Sequence, residues 1–114
     1  MHSNIEDLSR YALLNLQRGE LEGRCVLQAR SYYALWHPYT QDGEADRFRG
    51  LSWSLSTERG VPLISHGGGD VGFASMLCLY PQQNAATIVL SNNDWGLFDL
   101  TPVSDAARDA AFAT

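Results

Sequence analysis

The chain of 114 residues contains no lysine; its eight basic residues are all arginine. No side-chain ammonium group is on hand for Schiff-base chemistry or for activating a neighbouring nucleophile. Positive charge is also scarce. Thirteen acidic residues bring the net charge to −5, and no basic cluster stands anywhere along the chain. That balance excludes the electrostatic footprint of a nucleic-acid binder and of a protein held on anionic membranes. Cysteine is limited to Cys25 and Cys78, far apart and in no CxxC motif. The simplest reading is two buried thiols in a reducing compartment, with one disulfide as the alternative if they meet in space. No apolar run approaches the roughly 20 residues that span a bilayer. The start, Met1-His2-Ser3-Asn4, carries no signal-peptide pattern, so the expectation is a soluble, cytoplasmic protein. His2, His37 and His66 are widely spaced, with no nearby cysteine or carboxylate pattern, so no metal and no cofactor are expected. Repeats, low-complexity tracts and linkers are absent too.

What is present suits one domain, residues 1–114, of ordinary globular size. Hydrophobic residues make up 45% and charged residues 18%, enough apolar surface to fold. Ser3-Asn4-Ile5-Glu6 reads as a capping box with Ser3 as N-cap. Leu8, Tyr11, Ala12 and Leu16 follow near helical spacing, and Gly19 suits the C′ position. A helix is predicted over about 4–18. A second is predicted over about 25–36, from Cys25, Leu27, Tyr32, Leu35 and Trp36, and Pro38 forbids its continuation. Thr40 to Arg47 reads as a polar loop, with Asp42, Glu44, Asp46, Arg47 and Arg49 solvated.

The period then changes to two. Leu51, Trp53 and Leu55 alternate with Ser52, Ser54 and Ser56, the pattern of a strand with one buried face. Thr57-Glu58-Arg59-Gly60 is a hairpin connection. A strand follows at about 61–66, and Pro62 argues that it is not paired on both sides along its whole length. Phe73 to Tyr80 and Ala86 to Leu90 are apolar on both faces, as in strands covered from both sides. Pro81-Gln82-Gln83-Asn84 turns between them, and Asn92-Asn93-Asp94 ends the sheet. Ser104 is an N-cap candidate for an alanine-rich helix over about 104–112. Trp36, Trp53 and Trp95 read as packing residues. The predicted fold class is α+β: an antiparallel meander of about four strands, with two N-terminal helices and one C-terminal helix on the sheet. In such a meander the strand at 86–91 is an apolar edge, which invites pairing.

Between two of these strands lies Ser65-His66-Gly67-Gly68-Gly69-Asp70-Val71-Gly72-Phe73, with four glycines in nine residues. It reads as a loop through which a backbone can approach a ligand closely. It is no phosphate loop, because no Gly-Lys-Ser/Thr ending leads into a helix. Ser65 and His66 are no dyad, since strand neighbours point to opposite faces. Ser75 stands in no Gly-x-Ser-x-Gly elbow.

The same stretch, with Ala74-Ser75, Leu79-Tyr80-Pro81 and Thr87-Ile88-Val89-Leu90-Ser91-Asn92, resembles the C-terminal part of the serine β-lactamase-like hydrolases. These include class C β-lactamases, penicillin-binding proteins, DD-peptidases and related esterases. Glu6-Asp7-Leu8-Ser9-Arg10-Tyr11 with Leu13-Leu14 looks like their helix before the final sheet. Gly50-Leu51-Ser52-Trp53-Ser54 looks like their Gly-Leu-Gly-Trp strand, with serine for the second glycine. The resemblance covers about residues 4–95 and corresponds to roughly the last third of such an enzyme. It implies that His66, Gly67 and Gly68 line one wall of an active site, with His-Gly-Gly in place of a Lys-Ser/Thr-Gly triplet. It also implies that Gly69 supplies an oxyanion-hole N–H. The family's nucleophile comes from Ser-x-x-Lys, which a chain without lysine cannot contain. Its Tyr-x-Asn element is missing as well: Leu13, Ala34, Leu35, Gln41 and Gln82 stand two places after the five tyrosines. Without those partners His66 reads as a strand-end histidine. The expectation is a portion of a hydrolase that is not catalytic by itself. Its expected partner is a second copy, as a dimer, or a missing N-terminal hydrolase portion, met through the strand at 86–91. A small-molecule or peptide binding module using the His66–Gly72 stretch and one half of a split hydrolase are the alternatives.

Overall fold

The computed structural model describes residues 2–43, 45–93 and 100–112. Glu44, Asp94 and Trp95, assigned above to a loop, a sheet terminus and packing, lie outside the described residues.

Helix α1 (Ile5–Leu16) is capped by Asn4 rather than Ser3: the extended Asn4 accepts the Asp7 N–H on its Oδ1 at 2.9 Å. Glu6 and Asp7 then complement the positive end of the helix. The helix closes in a Schellman motif. The Gly19 N–H reaches the Leu14 carbonyl at 2.8 Å, and the Arg18 N–H reaches that of Asn15 at 3.1 Å. Arg18, at φ 50°, takes the left-handed C′ position expected for Gly19. Gly19 is needed one place later, where a Cβ would meet the Leu27 carbonyl oxygen at 2.0 Å.

The helix expected over 25–36 divides. Glu20–Leu21 (β1) and Arg24–Cys25 (β2) form a small antiparallel hairpin. Its two turn residues, Glu22 and Gly23, have φ 53° and 77°, as a primed turn requires. Val26 and Leu27 both donate to the Gly19 carbonyl. That tether leaves only Ser31–Leu35 for helix α2. Cys25 is therefore exposed and only Cys78 is buried; both are free thiols.

The main sheet has six antiparallel strands, not four. The extra pair, β3 (Thr40–Gln41) and β4 (Phe48–Arg49), is a hairpin cut from the expected loop. It is held by the Asp42 N–H to the Arg47 carbonyl at 2.8 Å and by Arg49 Nε to Asp42 at 3.1 Å. β5 (Ser54–Glu58) starts late, because Ser52 at φ 67° interrupts the alternation and leaves Leu51 exposed. A two-residue turn, Arg59-Gly60, leads into β6 (Val61–Asp70), and β7 (Phe73–Tyr80) follows. A 3₁₀ turn at Pro81–Gln83, with Asn84 left-handed, precedes β8 (Ala85–Ser91). The spatial order is the chain order, β3 to β8, so β3 and β8 are the edges among the described residues. The place of β8 at an edge agrees with the meander expected from sequence.

Strand β6 is paired in two offset halves. Ser65 and the residues before it face β5, whereas Ile64 and those after it face β7. Pro62 falls in the half with one partner strand, where its missing N–H is tolerated.

Helices cover both faces of this sheet. On one, Ala12 and Leu16 of α1 pack on Trp53, Leu55, Ile64, Leu77 and Leu79. On the other lies α3 (Thr101–Ala111). Ser104, expected as its N-cap, sits inside it and meets the buried Cys78 thiol at 3.5 Å. The start of α3 carries Pro102 in the first turn instead. Arg108, only 6% exposed, fastens α3 to the end of β5 through Glu58 and is steadied by Asp105 at 3.2 Å and Asp109 at 2.9 Å. No helix among the described residues is long and apolar enough to cross a membrane.

Tyr80 lies under the end of α3, edge-on to Phe112 at 5.2 Å. Burial, and then the negative charge nearby, pushes its phenol up to about 12. A phenol whose folded pKa exceeds the unfolded value near 10 favours the fold fully below about pH 10. That contribution, on the order of 2 kcal/mol, is lost as the pH rises towards 12. Urea denaturation between pH 9 and 12 should show this decline, and Tyr80→Phe should remove most of it.

Candidate functional site

The glycine-rich stretch is strand rather than loop. His66 to Asp70 continue β6, paired residue by residue with Leu77 to Phe73, and only Val71 and Gly72 form the turn. Glycine is tolerated here because β7 supplies the backbone partner. Glycine within a strand otherwise marks a place where something approaches closely.

The four expected site residues are consecutive, so the pleat divides them. His66 and Gly68 share the α1 face with Ile64, while Gly67 and Gly69 take the α3 face. They therefore form a strand edge with two faces rather than a single side-chain wall. β5 pairs with β6 only as far as Ser65. From His66 to Asp70, no strand among the described residues pairs with the other edge. This leaves a row of backbone donors and acceptors beside an exposed histidine, fronted by glycines whose small size lets a ligand come close.

The surroundings of His66 include two residues that the sequence marked only as packing. Trp53 stands edge-on to the imidazole, with ring centroids 6.4 Å apart, and Tyr11 of α1 stacks on Trp53 at 6.4 Å. Their common position could not be read from spacing, because Tyr11 is more than forty residues from Trp53. Ser75 lies opposite Gly68 and points its hydroxyl at the Gly68 carbonyl, 3.5 Å away. A Cβ on Gly68 would meet that hydroxyl at 2.7 Å, so the two small residues fit one another. Asp70 accepts the Val71 N–H at 2.8 Å and is spent on the turn.

The position of Trp53 is set by Gly50-Leu51-Ser52. The Gly50 N–H donates to the Trp53 carbonyl at 2.8 Å, and the Leu51 N–H to that of Leu35 at 2.9 Å. A Cβ on Gly50 would meet the Leu35 oxygen at 2.3 Å, so glycine is required there.

A family model described as Beta-lactamase matches residues 1–112. The chain belongs to the β-lactamase family. A curated relative, Unguisins hydrolase ungD′ of Aspergillus campestris (strain IBT 28561), is 29% identical over 98 residues. The match covers 82% of this chain but 18% of the relative, so the chain spans less than a fifth of that protein's length.

Within this β-lactamase-family chain, Ser52 stands where the resembling strand has its second glycine, and it holds the left-handed φ of 67° that glycine adopts without strain. Ser52→Gly should therefore stabilise the protein by about 0.5–1 kcal/mol, the relieved strain being partly offset by greater freedom of the unfolded chain. The midpoint of urea denaturation reads this. A lower midpoint would show that Ser52 is unstrained.

Proposed function

We propose that this chain is the wall-bearing portion of a β-lactamase-like serine hydrolase site and does not turn over substrate by itself. The observation that carries the reading is the edge of His66 to Asp70, beyond the end of β5, with which no strand among the described residues pairs. An extended acyl substrate laid along that edge gains backbone hydrogen bonds. Gly69 would aim an N–H at a developing oxyanion, where one such donor is worth about 10²–10³ in rate. His66 would flank the reacting carbonyl. The nucleophile is the missing part. The chain has no lysine, hence no Ser-x-x-Lys, and no tyrosine followed two places on by asparagine. Ser75 is turned towards the Gly68 carbonyl and does not replace it. The named relative acts on unguisins. In a hydrolysis of that kind, this chain's share would be the substrate wall.

The test is turnover of nitrocefin and p-nitrophenyl esters. The purified chain should give no rate above buffer, before or after His66→Ala. Sustained turnover lost in the His66→Ala variant would overturn the reading. Rate that appears only when a separately made Ser-x-x-Lys portion is added would identify one half of a split enzyme.

The same open edge supports a second reading, a binding module that takes an extended peptide or small acyl compound by strand addition. Amide shifts confined to residues 65–72 on titration with peptides, acyl esters or β-lactams would support it; their absence would count against it.

The partner surface proposed is β8. It is apolar, covered by helices on both faces, and has one backbone edge free of any strand among the described residues. Such an edge pairs with another chain unless it is blocked. Light scattering should give twice the 12.6 kDa chain mass. A single monomeric species at high concentration would argue against self-pairing and leave the N-terminal hydrolase portion as the proposed partner.

A further inference from the structure

The open half of β6 borders a cleft on the α3 face of the sheet. Ser65 and Gly67 are successive positions on that face, and Met76 of β7 stands opposite Gly67. The cleft, of about 330 Å³, has Leu63, Ser65, Met76 and Cys78 as its floor, with Asp46 and Thr101 at its sides. It therefore begins beside Gly67, the first α3-face position whose outer edge no strand among the described residues pairs.

At Gly67 the surface is hollow. A Cβ there would meet nothing nearer than the Met76 methyl carbon at 3.7 Å, an ordinary van der Waals contact, so crowding does not require glycine. The Met76 thioether leans over the bare backbone, its sulfur 4.0 Å from the same point. Gly68, which faces α1, differs: the Ser75 hydroxyl already stands 2.7 Å from where its Cβ would be. The open edge thus has one face that is filled and one that is hollow, with Met76 as the wall of the hollow.

An extended chain laid antiparallel on this edge places one side chain opposite Gly67 on the α3 face, with its neighbours in sequence on the α1 face, beside His66 and Gly68. An aromatic ring at that position covers the glycine backbone, as aromatic residues do opposite glycines at a sheet edge. It also comes against the Met76 sulfur, a favourable contact for a ring edge. Alanine at the same position leaves both uncovered.

We propose, on the reading that the open edge of β6 takes an extended ligand, that this hollow is a subsite for an aromatic side chain of that ligand. The ring lies across Gly67 and against Met76, at the mouth of the cleft. It is held by apolar contact, so the subsite selects for shape rather than charge.

The experiment is an NMR titration of the whole chain, read at its backbone amides and methionine methyls. The probes are acetyl-Thr-Thr-Phe-Thr-Thr-amide and the same peptide with alanine at its centre. The phenylalanine peptide should bind about tenfold more tightly. It should move the amides of 66–70 and carry the Met76 methyl upfield through the ring current. Gly67→Ala, whose added methyl fits without crowding, fills the hollow and should cut the preference to about twofold or less. Equal affinities for the two peptides, or a Met76 methyl unmoved by the phenylalanine peptide, overturn the subsite while the edge reading stands. No saturable shift with either peptide overturns the edge reading and the subsite with it. The preference is read on the unsubstituted chain, so the test stands even if Gly67→Ala fails to fold.

Discussion

The offset pairing of β6 is the constraint on which the rest of the molecule depends. A ten-residue strand shares its length between two neighbours that overlap only at Ile64 and Ser65. Ile64 lies at this overlap, where Leu55 and Leu79 meet it from either side, and α1 completes the core above them. Because β5 stops at the overlap, the glycine-bearing half of β6 emerges from the core with one edge satisfied and one edge bare of any strand among the described residues. The rigidity of the packed half thus holds the glycine-bearing half in place. A site built on a strand anchored in this way keeps its geometry better than one on a loop.

The two faces of the sheet are secured by different physics. The α1 face is apolar and needs only complementary volume from Ala12 and Leu16. The α3 face is more polar. Cys78, Thr87, Ser104 and Arg108 are all buried there. A buried guanidinium is costly unless it is well paired. Three carboxylates from α3 and β5 answer it, and two of them stand on the helix itself. Arg108 therefore specifies where the helix sits more than how strongly it holds, because only the pairing with Glu58 crosses between elements.

Much of this was legible from sequence, and the exceptions have local causes. The long apolar strands, the Pro81–Asn84 turn and the edge position of β8 follow from period and turn chemistry. The short hairpins were hidden. Two-residue strands such as β1 and β3 show no periodicity, and their turns depend on residues at positive φ that composition does not reveal, Glu22 above all. The glycine stretch misled for a different reason: glycine signals conformational freedom, but pairing with β7 overrides it. At the site, the four expected residues are together because they are consecutive. What sequence could not give was their division between two faces, or the stack of Tyr11, Trp53 and His66, which arises only when α1 is laid across the sheet.

On the proposed reading, His66 and its glycines form a surface open to approach, and the group that would use it is not in this chain. In a β-lactamase-type reaction the wall acts on charge that a nucleophile creates. On the proposed reading, with no lysine to activate a serine, that charge would have to arise from a group outside this chain. The apolar β8 has a backbone edge with no partner strand among the described residues, which is why it is the partner surface proposed. The two unfilled edges lie on opposite sides of β7. A single chain or subunit that paired with β8 would extend the sheet away from His66, so it could supply a nucleophile only by wrapping over a face of the sheet. The exposed imidazole, with Trp53 and Tyr11 beside it, marks the α1 face as the side from which that approach would come.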